Sequence, residues 1–409
     1  MKSIVSILLL LLCQWGAQAQ RVCGTDEYAR HMALQRGGES TGGVLRDTTT
    51  NENIIIPVVV HVLYNTADQN ISDAQVISQI TALNNDYRLK NLDAASIPDA
   101  FKNLAADTRI NFCLAKVDPN MRGTTGIIHK KTSRTYFLPD DKMKFSASGG
   151  DDAWDSKKYL NIWVCRLFGR TLGYATPPGV AANADGVVIT FTSFGTIGSL
   201  NVPFDKGRTA THEIAHWLGI KHIWGDEDCG DDGISDTPKQ ETYNYNCPVF
   251  PSKSSCSPNA NGDLFMNFMD LTNDACMKLF THGQKKKMRG QFAAGGPRNS
   301  FLNGFACDSS YAQGGPLPTD TVAKPAEIPA DMISVFPNPV DNVLNIQSKS
   351  AVTLTGKKAL LFTATGQLVK QQTLQSATEK MLLGQLPAGM YVLQIGERAE
   401  KKIFKVIKN

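Results

Sequence analysis

The chain has 409 residues, with 42 basic and 38 acidic side chains and a formal net charge of +4. Because this small excess of positive charge forms no basic block outside the extreme C-terminus, nucleic acid is not expected as a partner. Beyond the N-terminal segment no apolar run approaches the ~20 residues that a bilayer-spanning helix needs, so no membrane span is expected.

The N-terminus has the pattern of a secretory signal peptide. Lys2 precedes an apolar run over residues 4–12 that is too short to span a bilayer, and the small residues Ala17 and Ala19 suit a cleavage site. We therefore predict a signal peptide over residues 1–19 and a secreted chain that starts at Gln20. Residues 20–50 are polar and rich in Gly and Thr, which favours a processed propeptide over a folded domain.

Strand and helix patterns follow in chain order. A continuous β-branched run over residues 54–64 indicates a strand that is buried on both faces. Apolar side chains at helical spacing indicate a helix from Ser72, its N-cap, to about residue 89. Further strands are predicted over residues 109–117, 159–167 and 186–194, and a second helix is predicted to begin near Thr209 or Thr211. These elements predict an α/β (α+β) catalytic domain over residues 51–310.

The second helix carries the pattern H-E-x-x-H-x-x-G-x-x-H, from His212 to His222. His212 and His216 are four positions apart, so on a helix they share one face and can bind one zinc ion. Gly219 can adopt a positive φ, which lets the helix end and brings in His222 as the third ligand. Three histidines with an open fourth position are typical of a catalytic zinc. The alternative, a buried amphipathic helix with incidental histidines, is disfavoured by the five fixed positions.

Glu213 lies between the first two ligands, where it can hold a water molecule against the metal as general base. Zinc held by three neutral imidazoles lowers the pKa of its bound water and polarises a carbonyl group, and Glu213 passes the proton to the leaving amine. The sequence thus predicts an endopeptidase that acts on proteins or peptides. One alternative is a dead surface adhesin, which should lack Glu213 or a histidine. Another is a hydrolase of non-peptide substrates, which would account for H-E-x-x-H alone.

After the motif, the amino-acid composition of the chain changes twice. The segment with Cys229, Cys247, Cys256 and Cys276 is rich in Asp, Asn, Gly, Pro and Ser, which predicts an irregular lower subdomain held by disulfides. Residues 311–330 have the composition of a linker. Short alternating runs separated by turn residues then predict a small all-β sandwich over residues 331–409.

Residues from about 50 to 307 resemble the pappalysin family of metzincin zinc endopeptidases. The resemblance rests on the zinc pattern and on short matches at residues 56–62, 111–115, 233–238, 267–270, 276–277 and 280–284. It implies a metzincin fold with Met269 as the methionine of the turn beneath the metal. It also implies two disulfides, Cys229–Cys256 and Cys247–Cys276, and it leaves the remaining cysteines of the catalytic domain unassigned.

Calcium is predicted as a second metal. Residues 225–237 crowd carboxylates together, and Ca²⁺ binds such hard oxygen ligands. Pappalysins bind calcium, so the resemblance makes Asp232, Asp236 and Thr237 the candidate ligands. The alternative is a solvated acidic loop.

Two features concern the substrate. Pappalysins usually carry a Tyr two residues after the turn methionine, where its hydroxyl can steady the oxyanion, but this chain has Leu271. Either His282 or a backbone amide substitutes for that hydroxyl, or the enzyme is slower than its relatives. Several pappalysins prefer a basic residue just after the cleaved bond, which makes Asp270 and Asp274 the candidate acids of that pocket.

The segment from Arg21 to Gly24 resembles the cysteine switch of metzincin proforms. In such a switch the Cys23 thiolate would occupy the fourth zinc position in the latent form and exclude the catalytic water. The alternative is an ordinary disulfide from Cys23, with Cys307 as the candidate partner.

Residues 331–409 resemble the C-terminal sorting domain of the type IX secretion route in Bacteroidetes. The matches are residues 335–339, 366–369, 386–392 and the basic end at 401–408. They imply the type IX machinery as a partner and export through the periplasm of a Gram-negative bacterium to the cell surface or medium. A carbohydrate-binding module is the alternative, but the segment shows no aromatic platform.

Overall fold

The structure is a computed structural model that describes residues 20–36, 52–257, 260–304, 306–312, 333–348, 354, 357–363, 368–376, 378–396 and 402–409. The chain divides into two compact units. The first comprises residues up to 308 except 121–123, and the second comprises residues 121–123 and residues 309–409. Among the described helices, none is long and apolar enough to cross a bilayer.

The first unit is built on a seven-stranded sheet with the order β1-β6-β7-β5-β2-β3, in which β4 also pairs with β2. Its pairings are parallel except for the antiparallel pair of β6 and β7. The strands are β1 (Val22–Cys23), β2 (Ile54–Tyr64), β3 (Ile110–Leu114), β4 (Ile127–Lys131), β5 (Leu160–Cys165), β6 (Thr171–Ala175) and β7 (Val187–Thr190).

The helices of this unit are α1 (Thr25–Arg36), α2 (Asp73–Tyr87), α3 (Asp99–Lys102), α4 (Arg208–Trp217) and α5 (His282–Gly290). Short 3-10 turns lie at Leu92–Ser96, Lys142–Lys144, Ser146–Ser148, Ala182–Ala184, Phe191–Ser193, Asn299–Asn303 and Ser309–Tyr311. Helices α2 and α4 contribute to the main apolar core with β2 and β5. A smaller cluster that includes Tyr28, Trp163 and Tyr174 forms a second core.

The predicted elements are present, with shifted ends. Ser72 caps α2, because its side chain accepts a hydrogen bond from the backbone N–H of Gln75, and the helix ends at Tyr87. The strand predicted over residues 186–194 ends at Thr190, since the buried side chains of Phe191 and Phe194 pack equally well from a turn. Sequence reasoning missed β1, α1, α3, β4, β6 and α5.

The half of the first unit below α4 is irregular, as predicted. Residues 218–257 and 260–281 contain turns but no helix or longer strand among the residues that can be described. Disulfides join Cys229 with Cys256 and Cys247 with Cys276, the pairs that the family resemblance implied. A third disulfide, unassigned from the sequence, joins Cys113 of β3 with Cys307.

The second unit is all-β, as predicted. Two antiparallel sheets, with the orders β11-β10-β13-β14 and β12-β9-β8, share one apolar core. That core takes alternate residues of the strands, such as Leu344 and Ile346 on one sheet and Leu393 and Ile395 on the other. The strands are β8 (Ile333–Phe336), β9 (Val343–Ser348), β10 (Lys358–Thr363), β11 (Leu368–Thr373), β12 (Thr378–Leu382), β13 (Gly389–Ile395) and β14 (Lys402–Lys408).

Candidate active site

Helix α4 places the first two histidines of the motif against the third. The Nε2 atoms of His212 and His216 are 3.1 Å apart, and the Nε2 atom of His222 lies 3.2 Å from each of them. All three side chains are buried: His212 and His216 belong to α4, every residue of which is buried, and His222 is buried in the segment after the helix. Three imidazole nitrogens therefore converge on one point inside the first unit.

Gly219 makes this convergence possible. It has a φ of +82°, and the backbone N–H groups of Gly219 and Ile220 close the helix end on the carbonyl groups of His216 and Ala215. A Cβ atom at this position would lie 2.9 Å from the side chain of Gln291, in addition to the strain of a positive φ. The chain thus leaves the helix and returns with His222, as the motif predicted.

The other nitrogen of each histidine is held by an acceptor. The Nδ1 atom of His212 lies 2.7 Å from the carbonyl oxygen of Phe268, and that of His216 lies 2.8 Å from that of Ile220. The Nδ1 atom of His222 lies 2.6 Å from Asp226. Since a carbonyl can only accept, the first two rings carry their proton on Nδ1 and present a lone pair on Nε2.

The three imidazole rings differ in the direction in which their pKa is shifted. Burial lowers the pKa of His212 well below its ordinary value and that of His216 to about 3, so both rings are neutral. Burial also opposes the charged form of His222, but Cys23 and the carboxylates of Asp226 and Asp26 outweigh it and raise the pKa of His222 well above its usual range.

The triad fits zinc. Tetrahedral coordination at about 2.0–2.1 Å separates two nitrogen ligands by about 3.3–3.4 Å, close to the spacing found here. Met269 follows Phe268, the residue that holds His212, and is fully buried. Its role as the turn methionine that the resemblance implied stays a prediction.

Cys23 lies at the open side of the triad. Its Sγ atom is 3.6 Å from the Nε2 atom of His216 and 3.6 Å from Glu213 Oε2. Cys23 and the three histidines lie close enough to one another that their ligand atoms could hold one metal ion. Burial, followed by the Glu213 carboxylate, raises the pKa of the thiol to about 12. A cation is therefore needed to make the thiolate at neutral pH. The disulfide alternative is wrong, because Cys307 pairs with Cys113 and Cys23 is free.

Glu213 is shielded in this form of the chain. Burial raises the pKa of its carboxyl group to about 7. The hydroxyl group of Thr25 lies 2.7 Å from Glu213 Oε2 and accepts a hydrogen bond from the backbone N–H of Ala175 on β6. A side chain at Gly173 would come within 2.9 Å of Glu213 Cγ, so β6 passes close to the general-base candidate. Sequence reasoning did not find Thr25.

The leader, residues 20–36, also inserts Arg21 into the first unit. The guanidinium group is buried, forms an ion pair with Asp274, and donates to the Thr209 hydroxyl (2.9 Å) and the carbonyl of Thr272 (3.3 Å). The ring of Phe204 lies 5.1 Å from it. The signal for this contact was an arginine two positions before the switch cysteine.

The two candidate acids of a pocket for a basic side chain have different binding partners. Asp270 accepts hydrogen bonds from the Gln240 side chain and from both the backbone and the side chain of Asn244, which engages both carboxylate oxygens in holding the loop. Asp274 binds a guanidinium group from another segment of the chain. The structure therefore favours Asp274 over Asp270 as the acid that meets a basic side chain.

Of the three candidate calcium ligands, Asp232 and Thr237 are in contact, and Asp236 has other partners. Asp232 Oδ1 accepts from the Ile234 N–H, and the Thr237 hydroxyl lies 2.8 Å from it. Asp232 Oδ2 is buried without a protein partner, and burial raises the pKa of this carboxyl group to about 6. Asp236 instead accepts from the Thr281 hydroxyl and the Gly283 N–H at the start of α5.

The two positions considered for the oxyanion, Leu271 and His282, differ in exposure. Leu271 is buried. His282 is the first residue of α5 and is exposed, and its backbone N–H donates to the carbonyl of Leu104.

Known proteins resemble both units. A family model described as pregnancy-associated plasma protein-A matches residues 146–293, and one described as a secretion system C-terminal sorting domain matches residues 334–409. The structure of mature mirolysin from Tannerella forsythia with a cleaved peptide is 50% identical, has a TM-score of 0.60, and covers 61% of this chain and 96% of that chain. A promirolysin mutant from the same organism is 44% identical, has a TM-score of 0.66, and covers 73% and 100%.

Relatives from the curated proteins match a shorter part of this chain. Extracellular metalloprotease 1 of Coccidioides posadasii is 37% identical over 144 residues, which are 33% of this chain and 51% of that protein. The chain thus spans about half the length of this relative. Half of the aligned residues are identical to those of a solved structure that the chain covers to 96%, and the histidine triad is intact. The chain therefore belongs to the pappalysin family of metzincin metalloendopeptidases.

Proposed function

We propose that this chain is the latent precursor of a secreted zinc endopeptidase in which Glu213 is the general base. The observation that carries the proposal is the convergence of the three Nε2 atoms at 3.1–3.2 Å, with Cys23 and Glu213 beside them. Zinc, held by His212, His216 and His222, supplies Lewis acidity towards a peptide carbonyl and makes water more acidic.

Glu213 moves the proton in this proposal. With the leader in place, its Oε2 atom is engaged by Thr25 at 2.7 Å and faces Cys23. Removal of the leader frees this oxygen to accept a proton from a water molecule and then to release that proton to the leaving amine. Latency therefore comes from two contacts, since Cys23 takes the open ligand position beside the three histidines and Thr25 engages the carboxylate oxygen of Glu213.

The substrate is proposed to carry a basic residue just after the cleaved bond. Arg21 pairs with Asp274 beside the Thr171 end of β6, and Cys23 lies opposite Gly173. A substrate whose basic side chain takes the place of Arg21, and whose cleaved bond takes the place of Cys23, runs antiparallel to β6. The leader runs parallel to β6, so it enters the cleft in the reverse direction and is not presented as a substrate.

Calcium near Asp232 is proposed as a structural metal. Asp232 has one buried carboxylate oxygen without a protein partner, and the oxygen of Thr237 is close by. A hard cation would satisfy that oxygen. The alternative, a solvated acidic loop, predicts no calcium effect. Addition of Ca²⁺ should raise the melting temperature of the wild-type chain and leave that of Asp232→Asn unchanged.

The second unit is proposed to act as the address for type IX export across the outer membrane. The match of residues 334–409 to a secretion sorting domain supports this role. Removal of residues 331–409 should keep the protease inside the producing cell, in the periplasm. Release of a truncated chain at the normal rate would contradict the role.

The test of the enzyme is a matched pair of variants on protein substrates. Glu213→Ala should abolish proteolysis while the zinc content stays near one per chain. Glu227→Ala, which removes an exposed carboxylate after the motif, should keep normal activity. Chelation of zinc should inactivate the wild type. Ordinary activity of Glu213→Ala would contradict the mechanism, and inactivity of the activated, zinc-loaded wild type would favour the adhesin alternative.

A further inference from the structure

The leader fills a second, unassigned pocket with the side chain of Tyr28. This side chain is 5% exposed, and its ring lies 4.9 Å from the ring of Tyr174 in a tilted arrangement. Its hydroxyl group donates to Asp141 Oδ2 at 2.5 Å. The ammonium group of Lys144 lies 5.2 Å from the ring centroid. We call the site formed by Asp141, Lys144 and Tyr174 the tyrosine pocket.

The walls of the tyrosine pocket do not depend on the leader. Lys144 is fully buried, and its Nζ atom binds Asp141 Oδ1 and the carbonyl oxygen of Ala184, both at 2.8 Å. The hydroxyl group of Tyr174 donates to the same Asp141 Oδ1 at 2.9 Å. These contacts all lie within the catalytic unit. The pocket therefore keeps its shape when Tyr28 leaves, and Asp141 Oδ2 is then free to accept from a new donor.

The tyrosine pocket adjoins β6, the strand along which the leader lies. Tyr174 lies on β6 between Gly173, which is opposite Cys23, and Ala175, whose N–H donates to Thr25. Arg21 lies at the other end of this strand segment. If the residue after the cleaved bond takes the place of Arg21, the tyrosine pocket lies on the opposite side of the metal site. It then faces the part of a substrate that precedes the cleaved bond.

We propose that, after the leader is removed, the tyrosine pocket is a subsite that binds a tyrosine side chain of the substrate on the N-terminal side of the cleaved bond. The inference rests on the proposed function, because it uses the substrate direction derived there.

The chemistry of the pocket selects tyrosine over phenylalanine. An aromatic ring gains from the face of Tyr174 and from the nearby ammonium group of Lys144. Of these two aromatic side chains only tyrosine has a hydroxyl group that can donate to Asp141 Oδ2, and a phenylalanine ring would cover that carboxylate oxygen without pairing it. A site built to bind a hydroxyl group discriminates strongly against the analogue that lacks it. A hydrogen bond to a charged group corresponds to a preference of about ten-fold or more in kcat/KM.

The test uses the enzyme activated from its full-length precursor and fluorogenic peptides with one basic residue after the cleaved bond. Tyr, Phe or Ala is placed in turn at each position before that bond. At one position Tyr should exceed Phe by about ten-fold in kcat/KM, and Ala should be lower still. Cleavage of the peptides with no preference for Tyr at any position would overturn this inference and leave the proposed function standing. Absence of all cleavage would overturn both.

Variants then assign the preference to the pocket. Asp141→Asn should reduce the ratio of Tyr to Phe towards one. The matched control is Asp140→Asn, which alters the neighbouring carboxylate whose partner is the exposed ammonium group of Lys142 at 2.6 Å, and which should keep the ratio. Should Asp141→Asn not fold, Tyr174→Phe removes the other hydroxyl donor of Asp141 and should change the ratio at the same position. An unchanged ratio in every folded variant would refute the assignment.

Discussion

Replacement of Arg21 by alanine should loosen the leader from the cleft by about two orders of magnitude. The guanidinium group is 2% exposed and pairs with Asp274, which is fully buried. Removal of one partner of a buried ion pair costs about 3–5 kcal/mol. Asp274 also accepts from the backbone N–H groups of Lys206 and Arg208, so the lower value applies. About 3 kcal/mol corresponds to a roughly hundred-fold weaker leader.

The assay is inhibition of the activated enzyme by a peptide with the sequence of residues 20–36. The inhibition constant should rise about hundred-fold for Arg21→Ala and less for Arg21→Lys, which keeps the charge but loses the planar fork. Arg30→Ala is the matched control, because Arg30 is exposed on α1 and its removal should leave the inhibition constant within about three-fold. An inhibition constant for Arg21→Ala that stays in that narrow range would refute the role of Asp274.

Three further predictions concern the switch, the basic pocket and the long-range disulfide. A Cys23→Ala precursor should activate faster and be harder to isolate intact, and an activation rate that ignores the change would contradict the switch. Asp274→Asn in the activated enzyme should abolish enrichment of Arg and Lys after the cleaved bond in a peptide library. Retained enrichment would mean that another acid recognises the base. The disulfide between Cys113 and Cys307 closes a separation of 194 positions, so the double Ala variant should lose about 4–5 kcal/mol of unfolding free energy in urea. A loss below about 1 kcal/mol would contradict the chain-entropy account.

The metal site could be read from the sequence because its ligands are local. The helical repeat fixes how His212 and His216 face each other, and the positive φ that glycine permits at Gly219 fixes the return of His222. The same reasoning found α2 and its cap Ser72, since a cap and its partner lie three positions apart. The all-β second unit followed in the same way from the alternation of its short strands.

Patterns with weaker local signals were missed. Helix α5 has the sequence His-Gly-Gln-Lys-Lys-Lys-Met-Arg-Gly, which shows little apolar periodicity, although the capping box of Thr281 and Gln284 marks its start. Strand β6 is short and holds Gly173, a residue that disfavours strands, so propensity did not reveal it. Its importance comes from its place beside β1, the edge strand that the leader contributes.

The sequence by itself thus predicted the histidine triad, the candidate general base beside it and the order of the units, because each depends on residues that are near one another in the chain. Only the tertiary structure decided which acid meets Arg21, since that residue and Asp274 are separated by 253 positions. It also decided that Cys307 pairs with Cys113 and not with Cys23. The tyrosine pocket likewise joins Tyr28 to Asp141, 113 positions away. Such contacts depend on how sheet, helix and loops pack together, and the local periodicity of the sequence does not predict that packing.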